Sequence, residues 1–381
     1  MSRLEPKVNI AFVDPIDWDY DVSSPYDRPL GGSQSALCYL AVALAARGHA
    51  VTTYTAATNP RDIDGVRCRS FARLKTGDLA ALDHDVLIAL NGPAEGSLIV
   101  RPHLPMRCRL ILWTQHSFDQ PAMLALQQAD VRSAWDRIVC VSQWHATTLQ
   151  RRFGLDPRRM MILRNAISPA FANLFPDAAA LARAKSSLPV LAYTSTPFRG
   201  LDVLAGLFPE IHRLDRQLQL RVYSSMKVYG VHESKDAFGD LYARCRSTPG
   251  IEFVGSLPQP ALATALKAAM FLAYPNIFAE TSCIAVMEAM AAGLLVVTSD
   301  LGALPETTMG LAALVPGPQS LSDVPRFSRA FADELIVRLC LLKSNPRDFW
   351  LARWDQVRAV NTHYTWAVRA AEWEQWLQSV R

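Results

Sequence analysis

Short runs of β-branched residues alternate with alanine-rich stretches along most of this chain, and this alternation constrains the fold more than any other feature. Residues 33–47 have the composition of a helix. Five segments around it have the composition of strands, namely residues 8–13, 51–55, 85–90, 109–113 and 137–141. A strand, a helix and a second strand at this spacing predict a parallel sheet.

The pattern is interrupted once and then repeats. Residues 167–185 carry the breaks Ser168-Pro169 and Pro176-Asp177. The later predicted strands are 188–193, 219–223, 251–254, 271–274 and 295–298, and the later predicted helices are 201–214, 260–269, 282–291 and 331–342. We therefore predict two α/β domains with doubly wound sheets, at 1–170 and 187–362, joined by a linker at 171–186 and followed by a terminal helix at 363–381. Ligands of such sheets bind beyond the carboxyl ends of the strands.

The composition agrees with a division into two domains and limits the classes of partner that the protein could bind. A chain of 381 residues is long enough for two domains, since one usually takes about 100–200 residues. Half of the residues are hydrophobic and 19% are charged, as in folded globular proteins. The net charge of +4 includes no continuous basic run, which argues against a nucleic-acid partner. Short basic stretches at 107–109 and 151–153 leave peripheral contact with anionic lipid open, with a solvated surface as the alternative.

The cysteines and the N-terminal segment indicate the compartment. The seven cysteines occur singly, without a CxxC pair or a Cys/His cluster at zinc-ligand spacing, and are predicted to be reduced and mostly buried. Residues 1–15 lack the long apolar region of a signal peptide, and no segment reaches about 18 consecutive apolar residues. We predict a cytoplasmic location, with membrane association left open.

The strongest chemical signal is Glu280-Thr-Ser-Cys-Ile-Ala-Val-Met-Glu288, which follows a predicted strand. If Glu280 precedes the helix and Glu288 lies inside it, eight steps of about 1.5 Å place their backbones roughly 12 Å apart. The carboxyl groups of a glycosidase lie about 5–9.5 Å apart, so this spacing favours a longer ligand, with one acid near a sugar and the other near a ribose. The N–H groups at the helix start offer an anion site for a diphosphate. The alternative is that Glu280 caps the helix and Glu288 pairs with a surface cation.

The chain continues as Glu288-Ala-Met-Ala-Ala-Gly293, then Leu-Val-Val-Thr-Ser-Asp-Leu-Gly-Ala-Leu-Pro-Glu306. This region resembles the E-x7-E region of retaining GT-B glycosyltransferases of the GT4, or group 1, type. The resemblance implies a GT-B fold, with two Rossmann-like domains and a terminal helix that crosses back onto the first. It implies transfer of a sugar from a nucleotide diphosphate sugar, with retention and without a metal or another cofactor.

The resemblance also assigns roles to residues around the two acids. Glu280 would contact hydroxyls of the donor sugar and Glu288 the hydroxyls of the ribose. The amides of Cys283 and Ile284, beside Ser282 at the predicted helix start, would bind the phosphates. Cys283 stands where the family usually has glycine, and this departure puts the identity of the donor in question.

A second segment, Tyr193-Thr-Ser-Thr-Pro-Phe-Arg199-Gly200, is similar to the family loop that holds the pyrophosphate with two cations. Arg199 fits the second cation, but the first cation position falls near Thr194 or Ser195. Lys227, after the next predicted strand, is the proposed substitute. An ordinary surface cation is the alternative for both Arg199 and Lys227. By resemblance, the backbone near Ser256 contacts the base, for which both uridine and guanosine stay open.

Three further candidates belong to the first predicted domain. Gly31 and Gly32 open the helix at 33–47 and would allow close approach of a phosphate or sugar. His116, after the strand at 109–113, is predicted to contact the sugar or orient the acceptor, with a structural histidine as the alternative. Asn165 is similar to the family's hinge asparagine and is given a positional role. The acidic stretch at 17–21 invites a metal, but a polar loop is the favoured interpretation.

Two rival functions remain at this point. A nucleotide-sugar epimerase of the same fold would need a base on each side of the sugar and no acceptor. A nucleotide-sugar-binding subunit with little or no catalysis would bind without turnover, and the departures at Cys283, Thr194 and Asn165 favour it. The intact acids and Arg199 favour transfer, to a polysaccharide, lipid-linked or small-molecule acceptor.

Overall fold

The computed structural model describes residues 7–72 and 83–380 and divides the chain into two compact units. Unit 1 comprises Met1–Pro25, Gly32–Ala166 and Trp366–Arg381, and unit 2 comprises Tyr26–Gly31 and Ile167–Thr365. The first six residues, on which part of the signal-peptide argument depends, lie outside the described residues.

Unit 1 is built on an eight-stranded sheet. Its strands are β1 (Asn9–Val13), β2 (Ala50–Thr55), β3 (Arg61–Ile63), β4 (Val66–Ser70), β5 (Val86–Leu90), β6 (Arg109–Trp113), β7 (Arg137–Cys140) and β8 (Met160–Ile162). The order is β3-β4-β2-β1-β5-β6-β7-β8, and every neighbouring pair is parallel except β3 and β4. The strand order reverses at β1, which pairs with both β2 and β5.

The helices of unit 1 cover this sheet. Among the described residues up to 159 they are α2 (Gly32–Ala46), α3 (Pro93–Glu95), α4 (Ala129–Ser133) and α5 (Gln143–Phe153), with a π-helical turn at Gly96–Val100 and 3-10 turns at Arg101–His103, Pro121–Gln127 and Pro157–Arg159. The short helix α1 (Ser24–Asp27) is divided between the two units after Pro25. The five strands and the helix predicted in this part of the sequence are confirmed to within one residue at each end. Strands β3, β4 and β8 were not predicted, because β3 and β8 have only three residues each and β4 alternates arginines with Val and Cys.

Unit 2 contains a six-stranded sheet in which every neighbouring pair is parallel. Its strands are β9 (Val190–Tyr193), β10 (Gln219–Val222), β11 (Ile251–Phe253), β12 (Phe271–Tyr274), β13 (Leu295–Ser299) and β14 (Ala313–Val315), in the order β11-β10-β9-β12-β13-β14. The order reverses at β9, which lies between β10 and β12. In open parallel sheets, the loops at the carboxyl ends of such strands form the ligand site.

The helices of unit 2 are α6 (Ala178–Ala184), α7 (Leu201–Leu214), α8 (Gly239–Ser247), α9 (Gln259–Leu266), α10 (Ile284–Ala291), α11 (Leu304–Thr307), α12 (Val324–Ser344) and α13 (Pro346–His363). Its 3-10 turns are Pro169–Phe171, Pro197–Arg199, Met226–Tyr229, Glu233–Lys235 and Leu321–Asp323. The segment 171–186, predicted as a linker, lies within unit 2 and includes α6. Where the chain enters and leaves unit 2, the Ile167 amide donates to the Tyr364 carbonyl at 3.0 Å.

The terminal helix α14 (Trp366–Val380) belongs to unit 1 and packs on α2. Trp373 is fully buried, with its ring 5.3 Å from that of Trp113 on β6. Glu374 accepts hydrogen bonds from Arg47 Nε at 2.8 Å and from His49 Nε2 at 3.0 Å. The aromatic face predicted for this helix therefore has the docking surface that it requires, and the crossover helix of the predicted fold is confirmed.

The cysteines agree with the sequence interpretation, since all seven are free and six are buried, Cys340 being exposed. Among residues 7–72 and 83–380, no helix combines the length and apolar character needed to cross a membrane.

Candidate active site

Arg199 and Glu280, predicted from separate motifs, are in direct contact in unit 2. Arg199 ends the 3-10 turn after β9, and Glu280 lies between β12 and α10, where it forms an isolated β-bridge with Gly302. Arg199 Nη1 donates a hydrogen bond to Glu280 Oε1, and the two side chains are only 18% and 4% exposed. Burial is the largest single influence and opposes the charge on Arg199, but the charge and hydrogen bond of Glu280, together with Tyr229 and Tyr274, outweigh it and raise the pKa of the guanidinium. The pair is therefore a buried ion pair at the carboxyl edge of the central strands.

Two aromatic rings fix the direction of the Arg199 guanidinium. Its central carbon lies 4.4 Å from the ring centroid of Phe278 and 5.3 Å from that of Phe198. The two rings are 5.9 Å apart and nearly perpendicular. Such cation–π contacts contribute about 0.5–2 kcal/mol each. Arg199 is thus not an ordinary surface cation, and that alternative is wrong for this residue.

Tyr274, the last residue of β12, is a member of this site that sequence analysis missed. Its hydroxyl donates to Glu280 Oε1 at 2.6 Å and lies 3.3 Å from Ser195 Oγ. Burial, followed by the charge of Glu280, raises the pKa of this tyrosine well above its ordinary value, so that the hydroxyl stays protonated. A tyrosine at the end of a buried strand has the sequence signal of a core residue, which is why it was not identified.

Two glycines permit the close packing of the loops that carry Arg199 and Glu280. Gly200 has φ +115°, and a Cβ there would lie 2.1 Å from the Pro275 carbonyl oxygen. Gly302 has φ +65°, and a Cβ there would lie 2.3 Å from the Glu280 carbonyl oxygen. Since only glycine tolerates both the conformation and the proximity, these positions bring the loop after β9 against the segment that follows β12.

Helix α10 begins at Ile284, two residues later than predicted, because Cys283 occupies the N-cap position and Ser282 precedes it. The interpretation of Glu280 as the helix cap is therefore wrong. Cys283 is buried beside Glu280, and burial, then the charge of that carboxylate, raise the pKa of its thiol. The side chain at this non-glycine position is consequently a neutral thiol packed against the acid.

Glu288 lies within α10 and is only 3% exposed. Its Oε1 accepts a hydrogen bond from the Ser168 amide at 3.1 Å, and the Gln259 side chain also bonds the carboxylate. The interpretation that Glu288 pairs with a surface cation is wrong, because its partners are an amide N–H and a glutamine. Burial raises the pKa of Glu288 to about 8.

This raised pKa predicts that Glu288 makes the stability of the protein depend on pH. Its pKa is about 8 in the folded protein and 4.5 ordinarily, so its contribution to stability is complete below pH 4.5 and is lost as the pH rises through 8. Between pH 6 and 9, the free energy of unfolding of the wild type should fall by on the order of 3 kcal/mol because of Glu288. Glu288→Gln keeps an acceptor for the Ser168 amide but does not titrate, so its free energy of unfolding should not show this fall. Urea unfolding of both proteins at each pH measures this difference. If the difference in the free energy of unfolding between the two proteins stays constant with pH, Glu288 does not have a raised pKa in the folded protein.

Lys227 and Ser256 lie around a separate cavity of about 190 Å³ in unit 2. Lys227 is exposed, and its Nζ lies 3.7 Å from Glu233 Oε2, so in this structure it forms a surface ion pair. Ser256 Oγ lies 2.6 Å from Ser225 Oγ. The residues that line the cavity are Ser225, Lys227, Glu233, Asp236, Tyr242, Arg246, Phe253, Val254, Gly255 and Ser256.

The glycine pair is divided between the two units. Gly31 is the last residue of a short segment assigned to unit 2, whereas Gly32 is the first residue of α2 in unit 1. The start of α2 is tied to β1 by Asp14, whose Oδ2 accepts hydrogen bonds from Gln34 Nε2 at 3.0 Å and Tyr20 Oη at 2.7 Å. Burial raises the pKa of Asp14, although these hydrogen bonds oppose the effect. Sequence analysis did not single out Asp14, because it is a single acid after a strand.

His116 lies at the carboxyl end of β6, in a loop held by a second histidine. His145 is fully buried, accepts from the Val141 amide through Nδ1 at 3.4 Å and donates from Nε2 to the His116 carbonyl at 2.8 Å. Burial lowers the pKa of His145 to about 4, so it is neutral at pH 7. Asn165 donates to the Gln115 side chain at 2.9 Å, which agrees with a positional role next to His116.

The acidic stretch at 17–21 is engaged within unit 1. Asp19 accepts hydrogen bonds from the amide and the hydroxyl of Thr58, at 3.0 and 2.7 Å. Asp21 pairs with Arg61 at 2.7 Å and accepts from Ser23. These bonds hold the loop in place, which agrees with its interpretation as a polar loop.

The two parallel-sheet units and the terminal helix define the GT-B fold of glycosyltransferases. The catalytic domain of starch synthase IV from Arabidopsis thaliana, bound to ADP and acarbose, is similar with a TM-score of 0.71 at 12% identity, over 98% of this chain and 99% of that one. HepE from Anabaena, in complex with UDP and glucose, is similar with a TM-score of 0.68 at 13% identity, over 98% of this chain and 100% of that one. At these identities the likeness concerns the fold.

The sequence comparisons show a similarity to one family of glycosyltransferases. Residues 189–332, which include both Arg199 and the two acids, match the family model of "Glycosyl transferases group 1". A D-inositol 3-phosphate glycosyltransferase of Streptomyces bingchenggensis is 26% identical over 232 residues, which cover 56% of this chain and 49% of that protein. The chain thus spans about half the length of this curated relative. The resemblance to group 1 glycosyl transferases is confirmed.

Proposed function

We propose that this chain is a glycosyltransferase that moves a sugar from a nucleotide diphosphate sugar to an acceptor hydroxyl, with retention of configuration and without a metal. The observation that carries the proposal is the buried Arg199–Glu280 pair at the carboxyl edge of β9 and β12. This position in a doubly wound sheet is where ligands bind. The match of residues 189–332 to group 1 glycosyl transferases supports the same assignment.

In the sugar transfer that we propose, negative charge develops on the departing diphosphate, where this site can stabilise it. The bond between the anomeric carbon and the diphosphate oxygen breaks, and the acceptor oxygen forms the new glycosidic bond on the same face. The acceptor proton passes to an oxygen of the departing diphosphate. Arg199 and the amides of Cys283 and Ile284 at the start of α10 stabilise the charge that develops there. Glu280 accepts hydrogen bonds from the sugar hydroxyls, with Ser282 beside it in the same segment.

The remaining predicted residues complete the donor and acceptor roles in this proposal. Glu288 binds the ribose hydroxyls, and Lys227 and Ser256, which line the 190 Å³ cavity, contact the nucleotide. Gly31 and Gly32 allow close approach of a phosphate or sugar. His116 contacts the sugar or orients the acceptor. The acceptor is a carbohydrate, a lipid-linked saccharide or a small molecule, and a transferase of the GT4 type with a hexose donor is the form that we favour.

A panel of nucleotides tests the binding part of this proposal. HepE and starch synthase IV are similar structures that contain UDP and ADP, so UDP, ADP and GDP with their glucose and mannose derivatives form the panel. Because a ligand at 100 times its Kd stabilises the folded state by about 2.7 kcal/mol, the matching class should raise the Tm by a few degrees. The effect should disappear in Arg199→Ala. Failure of every compound to stabilise the wild type would overturn the donor site.

A further inference from the structure

The Glu280 carboxylate is held by two donors that converge on one oxygen. Arg199 Nη1 and Tyr274 Oη both donate to Oε1, the latter at 2.6 Å. Tyr274 is 1% exposed and Glu280 is 3% exposed, so these bonds form away from bulk water. A hydrogen bond to a buried charged group is among the stronger ones in proteins. The orientation of this carboxylate therefore depends on Tyr274 as well as on Arg199.

Tyr274 has further contacts besides the hydrogen bond to Glu280. Its hydroxyl lies 3.3 Å from Ser195 Oγ, in the loop that leads to Arg199. Its ring packs edge-on against that of Tyr193 at 5.8 Å, on the neighbouring strand β9. The Tyr193 hydroxyl donates to the Thr196 carbonyl at 2.8 Å. Two buried tyrosines thus lie side by side, and the contacts of their hydroxyls differ, since one bonds the acid and the other bonds the backbone.

We propose that Tyr274 is a positioning residue that sets the preference of the site for nucleotide sugars over nucleoside diphosphates. The inference rests on the proposed function, in which Glu280 contacts the sugar and Arg199 the diphosphate. Because the Tyr274 hydroxyl orients Glu280, its loss impairs contacts with the sugar. The diphosphate keeps Arg199 and the start of α10. The ratio of the Kd for UDP-glucose to the Kd for UDP is consequently the property that Tyr274 controls.

The experiment compares Tyr274→Phe with Tyr193→Phe, its matched control. Each substitution removes one hydroxyl from a buried tyrosine, and the two rings pack against each other. Calorimetry with UDP and UDP-glucose, or with the corresponding pair that binds best in the panel, gives the ratio for each protein. Tyr274→Phe should raise the ratio about tenfold, as expected for one hydrogen bond to a charged group, whereas Tyr193→Phe should leave it as in the wild type. In a Glu280→Ala background, which has no carboxylate for the hydroxyl to orient, Tyr274→Phe should change the ratio no further.

The outcomes separate this inference from the proposed function. Binding of both ligands by the wild type with an unchanged ratio in Tyr274→Phe overturns the positioning role and leaves the transferase intact. An equal change in Tyr193→Phe overturns it as well, because the effect would then belong to the packing of the rings. Absence of any binding by the wild type overturns both proposals. Should Tyr274→Phe fail to fold, Ser195→Ala removes the other partner of the hydroxyl, and a ratio unchanged from the wild type would overturn the inference.

Discussion

Glu280→Gln should lower the turnover of a nucleotide sugar by roughly 10²–10³-fold while the protein stays folded. The substitution preserves the shape of the side chain and the acceptor for Tyr274, but it removes the negative charge that pairs with Arg199 and that we propose faces the donor sugar. Release of free sugar from the donor, followed over time, measures the turnover. Thermal unfolding in parallel measures the fold.

Glu252→Gln is the matched control for this experiment. Glu252 lies on β11 in the same unit, is 61% exposed at its side chain and pairs with Arg221 at 2.9 Å. Its replacement removes an acid from an ion pair outside the proposed site, so turnover should equal that of the wild type. Turnover in Glu280→Gln within about twofold of the control would disprove the role of Glu280, since a factor of two corresponds to only about 0.4 kcal/mol.

Arg199→Ala should weaken the binding of a nucleoside diphosphate by about 100-fold, which corresponds to about 3 kcal/mol. The guanidinium supplies a charge whose direction is fixed by Glu280 and by the rings of Phe278 and Phe198. A fixed charge gives up little conformational entropy when the diphosphate binds. Calorimetric titration with the diphosphate measures the loss. Arg213→Ala, which removes an arginine that is 65% exposed on α7, is the control.

Loss of Arg199 also affects stability, and this effect must be separated from binding. Removal of one partner of a buried ion pair costs about 3–5 kcal/mol, because Glu280 is left buried without its cation. The double variant Arg199→Ala/Glu280→Gln should recover much of this stability but none of the affinity. Unchanged diphosphate affinity in a folded Arg199→Ala protein would show that Arg199 is not the phosphate-binding cation.

The sequence predicted the fold where local patterns are strong. The ten strands that were predicted, all of them parallel, were found to within two residues at each end. Three further parallel strands, β4, β8 and β14, were not predicted. Helix α13 was missed entirely, because its aromatic residues are interspersed with Arg and Asp and show no clear apolar face. Helix α12 was predicted only from residue 331, although it begins at Val324, because Pro325 resembles a break and yet occupies the first turn of a helix.

The residues of the candidate site likewise include some that the sequence predicted and some that it did not. Arg199 and Glu280 stand next to distinctive motifs, and the contact between them follows from the parallel pairing of β9 with β12. Tyr274 and His145 act through hydrogen bonds whose partners are 6 and 29 residues away, and their sequence context is that of buried core residues. Nothing in the local sequence distinguishes a tyrosine that packs from one that also holds an acid. A hydrogen bond of this kind can be identified only from the three-dimensional positions of both partners.

The proposed transferase activity requires first of all that the protein consumes a nucleotide sugar. The deciding measurement is the time course of sugar and nucleoside diphosphate released by the wild type from each donor of the panel, with Glu280→Gln alongside. We predict that one nucleotide class is cleaved to equal amounts of both products by the wild type, and that Glu280→Gln binds the same donor but releases almost none. A panel in which no donor is bound or cleaved, or equal cleavage by the two proteins, would contradict the account.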